Sequence, residues 1–173
     1  LLTGGLDWER SGLEPGHAEA DPVSRVPATA LWDHQDMDAM CDHVAVSTRI
    51  THRDHRVLAC AAATAAAIAS NAQTEELILG AFLDRVSGAA SRYDPVVAEA
   101  CLDFPRILSL SEYRALRHFE SICPDDRYTA TEDGLDEYCI PVTLTAVYYF
   151  LRSPYRYEKV IDSCLRVGGR ITT

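Results

Sequence analysis

The chain has 173 residues, 47% of them hydrophobic and 24% charged, and a formal charge of −10. That length suits one domain with a sizeable core, while the acidic balance argues against a nucleic-acid backbone as the main partner, since that binding needs clustered Lys and Arg. Six cysteines (Cys41, Cys60, Cys101, Cys123, Cys139 and Cys164) lie far apart without a CxxC pair, which fits buried free thiols in a reducing cytosol better than a disulfide framework or a zinc site.

In chain order, residues 1–23 are rich in Gly, Pro and acids with no sustained period, and read as an irregular segment with a short helical turn near Trp8. The stretch SRVPATALW, from Ser24, begins to look ordered, and residues 24–173 are expected to form a single helical domain. Residues 35–47 carry Met37, Met40, Cys41, Val44 and Val46 at helical spacing, with acids on the other face. Thr51 is placed to cap the next helix, with Asp54 three residues on, where a carboxylate favours the free amides. From Val57 the side chains are almost all small, and a helix clothed in alanine lets its neighbours approach closely on every side. It is therefore expected at the centre of a bundle. The uncharged run over 57–74 contains Ser70, Asn71, Gln73 and several threonines, too short and too weakly apolar for a bilayer.

Thr74, Glu75 and Glu76 then read as the start of a helix whose apolar residues Leu77, Ile78, Ala81, Phe82 and Val86 run to a stop at Gly88. Asp94-Pro95 starts a shorter helix over 95–102, and residues 109–122 hold another. Residues 123–134, with Asp125-Asp126 and Glu132-Asp133, read as an acidic surface loop. From Leu135 the helical period returns up to Ser153-Pro154, with Pro141 near the first turns, where a missing amide costs least. A last helix over 157–167 is ended by Gly168-Gly169. No period-2 run of strand length occurs, so the fold class is all-α.

Chemical constellations are few. His52 and His55, three apart, can share a helix face, but without a third ligand they suit solvation or capping better than a metal. Gly168-Gly169 is a helix stop before it is an anion-binding loop. There is no Gly-rich phosphate cradle, no GxSxG and no thiol beside a recognisable base.

Three segments in order, SRVPATALW, STRITHRDHRVLACAAATAAAIA and IPVTLTAVYYFLRSPYRYEKVIDSCLRVGG, resemble the ADP-ribosylglycohydrolase family, all-helical enzymes similar to dinitrogenase reductase-activating glycohydrolase. The resemblance implies a cleft with two magnesium ions that position ADP-ribose and a water for hydrolysis of the glycosidic bond at the ribose anomeric carbon, with ADP-ribose or an ADP-ribosylated protein as partner. Magnesium needs clustered carboxylate and hydroxyl oxygens, which the family takes from an N-terminal Thr-Asp-Asp stretch and an Asp-x-Asp-Thr-type stretch after the Gly-Gly.

Here no Thr-Asp-Asp stretch stands near the N-terminus, and Gly168-Gly169 is followed by Arg170, Ile171, Thr172 and Thr173. Thr173 is what the resemblance leaves as a metal ligand. Before Arg25, where the family has a Gly-containing loop for the diphosphate, stand Glu19, Ala20, Asp21, Pro22, Val23 and Ser24. Acids there add bulk and like charge beside a phosphate, and Pro22 removes an amide donor. Thr51 and His52 are retained, together with Gly168 and Gly169, as substrate-binding candidates. His52 either donates to the diphosphate or only completes the helix cap, and the residues leave both open. The expectation is an ADP-ribosylglycohydrolase-type bundle, incomplete at both ends and cytoplasmic, with magnesium and hydrolysis lost. The alternative is a non-catalytic helical scaffold.

Overall fold

The computed structural model describes residues 11–122 and 137–168. The turn near Trp8, the acidic loop with Asp125-Asp126 and Glu132-Asp133, Cys123, Gly169 and residues 170–173 with Thr173 lie outside the described residues. Among the described residues the secondary structure is helical without strands: a 3-10 turn Asp21–Arg25, then α1 Val26–Trp32, α2 Met37–Arg49, α3 His55–Gln73, α4 Leu79–Ser91, α5 Pro95–Leu102, α6 Phe104–Ile107, α7 Glu112–Ser121, α8 Cys139–Arg152 and α9 Tyr157–Val167. The all-α expectation holds. No helix among the described residues is long and apolar enough to cross a membrane.

The alanine-rich helix α3 is the hub, packing against α1, α2, α4, α5 and α8. Its buried residues lie all round the helix, from Val57 through Ala59, Cys60, Ala61, Ala62 and Ala63 to Ala65, Ala66 and Ala69. Small side chains on every face let several helix backbones approach one axis, so close packing replaces bulk as the source of cohesion. Ala65 is fully buried. Ala65→Leu is expected to force its neighbours off their rotamers and cost about 1–3 kcal/mol, read as a lower denaturant midpoint at unchanged slope. An unchanged midpoint would mean that the helix interface has room to spare.

Helix boundaries differ from the sequence reading in several places. The N-cap of α3 is Asp54, whose carboxylate accepts from the Arg56 amide, and Thr51 is not the cap. Its carbonyl accepts from the amide of Leu13 at 2.8 Å, and its own amide and that of His52 donate to the Thr48 carbonyl. With its backbone so used, the chain runs extended to Asp54 before the helix can begin. Helix α4 starts at Leu79 and not near Thr74, because the Leu77 amide donates to the Tyr155 hydroxyl at 2.9 Å and Thr74 ends α3. Gly88 lies inside α4, where the buried face continues through Ala89 and Ala90. The helix read over 109–122 is α7, Glu112–Ser121, and a short helix not read from the sequence, α6, precedes it. Cys41, Cys60, Cys101 and Cys139 are buried free thiols, and Cys164 is a half-buried one.

The segment before residue 24 is fastened to the bundle. Ala18, Ala20 and Val23 are buried in the core, the Ala20 amide donates to the Glu137 carbonyl, and the Cys139 amide donates to the Ala18 carbonyl, both at 2.8 Å. Glu19 is thus pinned between two backbone hydrogen bonds at the N-terminus of α8.

Candidate functional site

The turn between α2 and α3 is built by contact with residues 11–16. The Arg53 amide donates to the Leu13 carbonyl at 3.2 Å, so Leu13 bonds the turn through both of its backbone groups. At Gly12 an added Cβ would lie 2.4 Å from the Arg49 carbonyl oxygen and 3.0 Å from the His52 nitrogen. Both are backbone atoms that cannot swing aside, so this close approach requires glycine.

Asp54 anchors the far end of the turn. Its carboxylate accepts from the Gly16 amide at 2.7 Å, from the Arg56 amide at 2.9 Å, and from two guanidinium nitrogens of Arg56 at 2.8 and 2.7 Å. Arg56 also donates to the Tyr138 hydroxyl at 3.2 Å and lies over that ring. Burial pushes the Asp54 carboxyl up, but the Arg56 guanidinium and the two amides outweigh it and hold the group at about 2. The same pairing raises Arg56 against its own desolvation.

His52 sits between these anchors and is buried. Its Nδ1 lies 3.0 Å from the Thr51 hydroxyl, and its Nε2 lies 3.3 Å from Glu19 Oε2. Nε2 faces a carboxylate, which only accepts, so the proton of the neutral ring is placed on Nε2. The exposed Arg25 donates to the Thr51 oxygen. Burial holds the imidazole below its ordinary value, the charge of Arg25 adding to this, against the opposing pull of Glu19 and Asp21. His17 flanks the other oxygen of Glu19, its Nδ1 3.6 Å from Oε1. Glu19 Oε2 is itself buried and makes no aligned hydrogen bond. The result is two anion-seeking donors, His52 on the turn before α3 and Arg25 at the end of the 3-10 turn, meeting at Thr51, with a carboxylate of the same chain already against one of them. Such a constellation can bind an anion.

Of the residues singled out from sequence, Thr51 and His52 are thus together. His52 and His55 do not share a face: His52 precedes the helix and is buried, whereas His55, at the first position of α3, points to Asp94 Oδ2 at 2.5 Å. Asp94 also caps α5 through the amides of Val96 and Val97, which makes His55 a link between α3 and α5. Gly168 ends α9 with a positive φ of 76° that favours glycine, and α9 packs on α8. Gly169 and Thr173 lie outside the described residues. Among the described residues no three His, Cys, Asp or Glu side chains converge so as to hold a metal ion. The contact between Glu19 and His52 had no local signal in the sequence, because it depends on the pairing of Glu19 with Tyr138.

Compared with known proteins, the chain matches the family model described as ADP-ribosylglycohydrolase over residues 2–173. No curated protein and no solved structure matches it.

Proposed function

Because the chain belongs to the ADP-ribosylglycohydrolase family, we propose that it recognises an ADP-ribosyl group, free or on a protein, at the Thr51–His52 turn, and does not hydrolyse the glycosidic bond by itself. The observation that carries this reading is the uneven state of the ligand residues. The turn keeps a buried imidazole and a nearby guanidinium, both suited to a diphosphate. After Gly168-Gly169, in contrast, positions 170 and 172 hold arginine and threonine where the resemblance places aspartates.

Those residues do not fit magnesium. A guanidinium is a donor without a lone pair to give, and Thr172 and Thr173 offer only neutral oxygens to a hard dication. At about 4 Å and an effective dielectric near 20, each unit of opposed charge costs roughly 4 kcal/mol. Recognition is therefore expected to be metal-independent. Buried free thiols fit a reducing compartment such as the cytosol.

A hydrogen bond to a charged group is worth about 1.5–3 kcal/mol, which alone corresponds to millimolar or weaker affinity. Calorimetry with ADP-ribose is expected to give at best millimolar binding, lost in His52→Ala and unaffected by chelator, and millimolar magnesium is expected to leave the melting temperature unchanged. Micromolar binding, a chelator-sensitive rise in melting temperature, or release of ADP-ribose from a modified protein by the unaltered chain would overturn the reading. A second reading, a helical scaffold that binds protein, is favoured by the apolar side chains left in solvent at Trp32, Tyr157, Ile161 and Leu165. Under it, ADP-ribose binds no variant.

A further inference from the structure

We propose that Glu19 is the residue that sets affinity at this turn, its carboxylate acting as an internal competitor for the anion that His52 and Arg25 are arranged to receive. The inference rests on the reading of the Thr51–His52 turn as an anion-recognition site. Three observations carry it beyond that reading.

The first is position. Glu19 Oε2 lies 3.3 Å from His52 Nε2, the ring nitrogen that carries the proton when it faces a carboxylate, which only accepts. An external phosphate oxygen drawn to that N–H arrives beside this carboxylate oxygen, so two like charges contend for one edge of the ring.

The second is rigidity of the backbone behind it. Hydrogen bonds from the Ala20 amide to Glu137 and from the Cys139 amide to Ala18, both 2.8 Å, hold Glu19 against the start of α8. The carboxylate is delivered to the imidazole by the fold, without the ordering cost that an external anion bears on arrival.

The third is the quality of the contact. Oε2 is fully buried yet makes no aligned hydrogen bond, so the carboxylate occupies the anion position without bonding it well. A ligand with better-placed oxygens displaces it once the side chain turns outward, and the Glu19 side chain keeps 24% of its surface in solvent. Asp21, on the same segment, adds negative charge within reach of His52. Arg25 spends its contact on the neutral Thr51 hydroxyl, which leaves its charge to be matched by an incoming anion.

The chemical class that fits is a diphosphate or a similar dianion, large enough to meet His52 and Arg25 together. Inorganic pyrophosphate tests the competition without assuming the rest of a ligand. Calorimetry at fixed salt would compare the unaltered chain with Glu19→Gln, Glu19→Ala and the double variant Glu19→Ala/His52→Ala. Circular dichroism and melting would establish that each is folded, and Glu19→Gln, of equal size, guards against a simple packing defect in Glu19→Ala. Both single variants are expected to bind pyrophosphate at least about tenfold more tightly than the unaltered chain, and the double variant is expected to lose that gain. Folded single variants that bind pyrophosphate no better than the unaltered chain overturn the inference, as does a gain that persists without His52. ADP-ribose run alongside separates the two claims. If Glu19→Ala gains pyrophosphate while ADP-ribose binds no variant, the internal competitor stands and the ADP-ribosyl reading falls. If His52→Ala abolishes ADP-ribose binding while Glu19→Ala changes neither ligand, the reverse holds.

Discussion

Asp54→Ala is expected to remove about 3–5 kcal/mol of stability, a large part of the 5–15 kcal/mol that holds a typical domain folded. The substitution deletes one partner of a buried ion pair and strands the other: the Asp54 side chain is 2% exposed and that of Arg56 only 15%. It also removes the N-cap of the central helix and the carboxylate that accepts from the half-buried Gly16 amide. Replacing both partners, as in Asp54→Ala/Arg56→Met, is expected to recover part of the loss, because the stranded charge disappears with its partner. The effect is linked to pH. The folded carboxyl is held at about 2, below its ordinary 3.8, so its contribution is complete above about pH 4 and disappears as pH falls through the folded value. At about 1.4 kcal/mol per unit, roughly 2–3 kcal/mol is tied to this proton. Urea unfolding at pH 7 and at pH 2 to 3 checks both parts. A loss below about 1 kcal/mol at pH 7, or the same loss at both pH values, would mean that the pair behaves as a solvated one.

Phe119→Ala is the second large effect, expected at about 3–5 kcal/mol. Phe119 is fully buried, tilted against Phe104 with ring centres 6.0 Å apart and edge-on to Tyr148 at 5.9 Å. Helix α7 otherwise buries only Ala115, with Leu116 partly buried against the core, so this ring is its largest buried side chain. Its polar ties include a hydrogen bond from the Tyr149 hydroxyl to Glu112 at 2.9 Å and the contact of His118 with Asp103. Global unfolding is expected to show the full loss, and hydrogen exchange is expected to show α7 opening ahead of α3. Protection of α7 equal to that of α3 in the variant would show that the helix is held by something other than this ring.

The helices were legible in the sequence where a single periodic face meets a single core. Residues 95–102 and 157–167 were bounded at the residues observed, since Asp94-Pro95 and Gly168 are punctuation that acts locally. The capping of α3 was misread because Thr51 and Asp54 are both competent caps, and what decides between them is Leu13, which takes the Thr51 carbonyl from a distant part of the chain. Helix α1 escaped notice because VPATALW is seven residues long and buries only Val26 and Ala30, too few to show a period. Of the candidate site, Thr51 and His52 were named on sequence resemblance, and the acids at 19 and 21 were seen as departures. That one of those acids lies against His52 follows from backbone pairing across the fold, which no local pattern encodes.

The fastening of residues 18–20 to 137–139 also bears on how the chain folds. Helices α3, α4 and α5 contact one another through short connections, so their association closes small loops and can proceed early. The Leu13 pairing with the α2–α3 turn, and still more the Glu19 pairing with Tyr138, join stretches far apart in the sequence. Such contacts bear the entropy of a large loop before they return any energy, so they belong to the late, native side of the folding barrier. The helical hub is therefore expected to form before the Thr51–His52 turn is complete, because the environment of His52 needs both the Leu13 pairing and the Glu19–Tyr138 pairing.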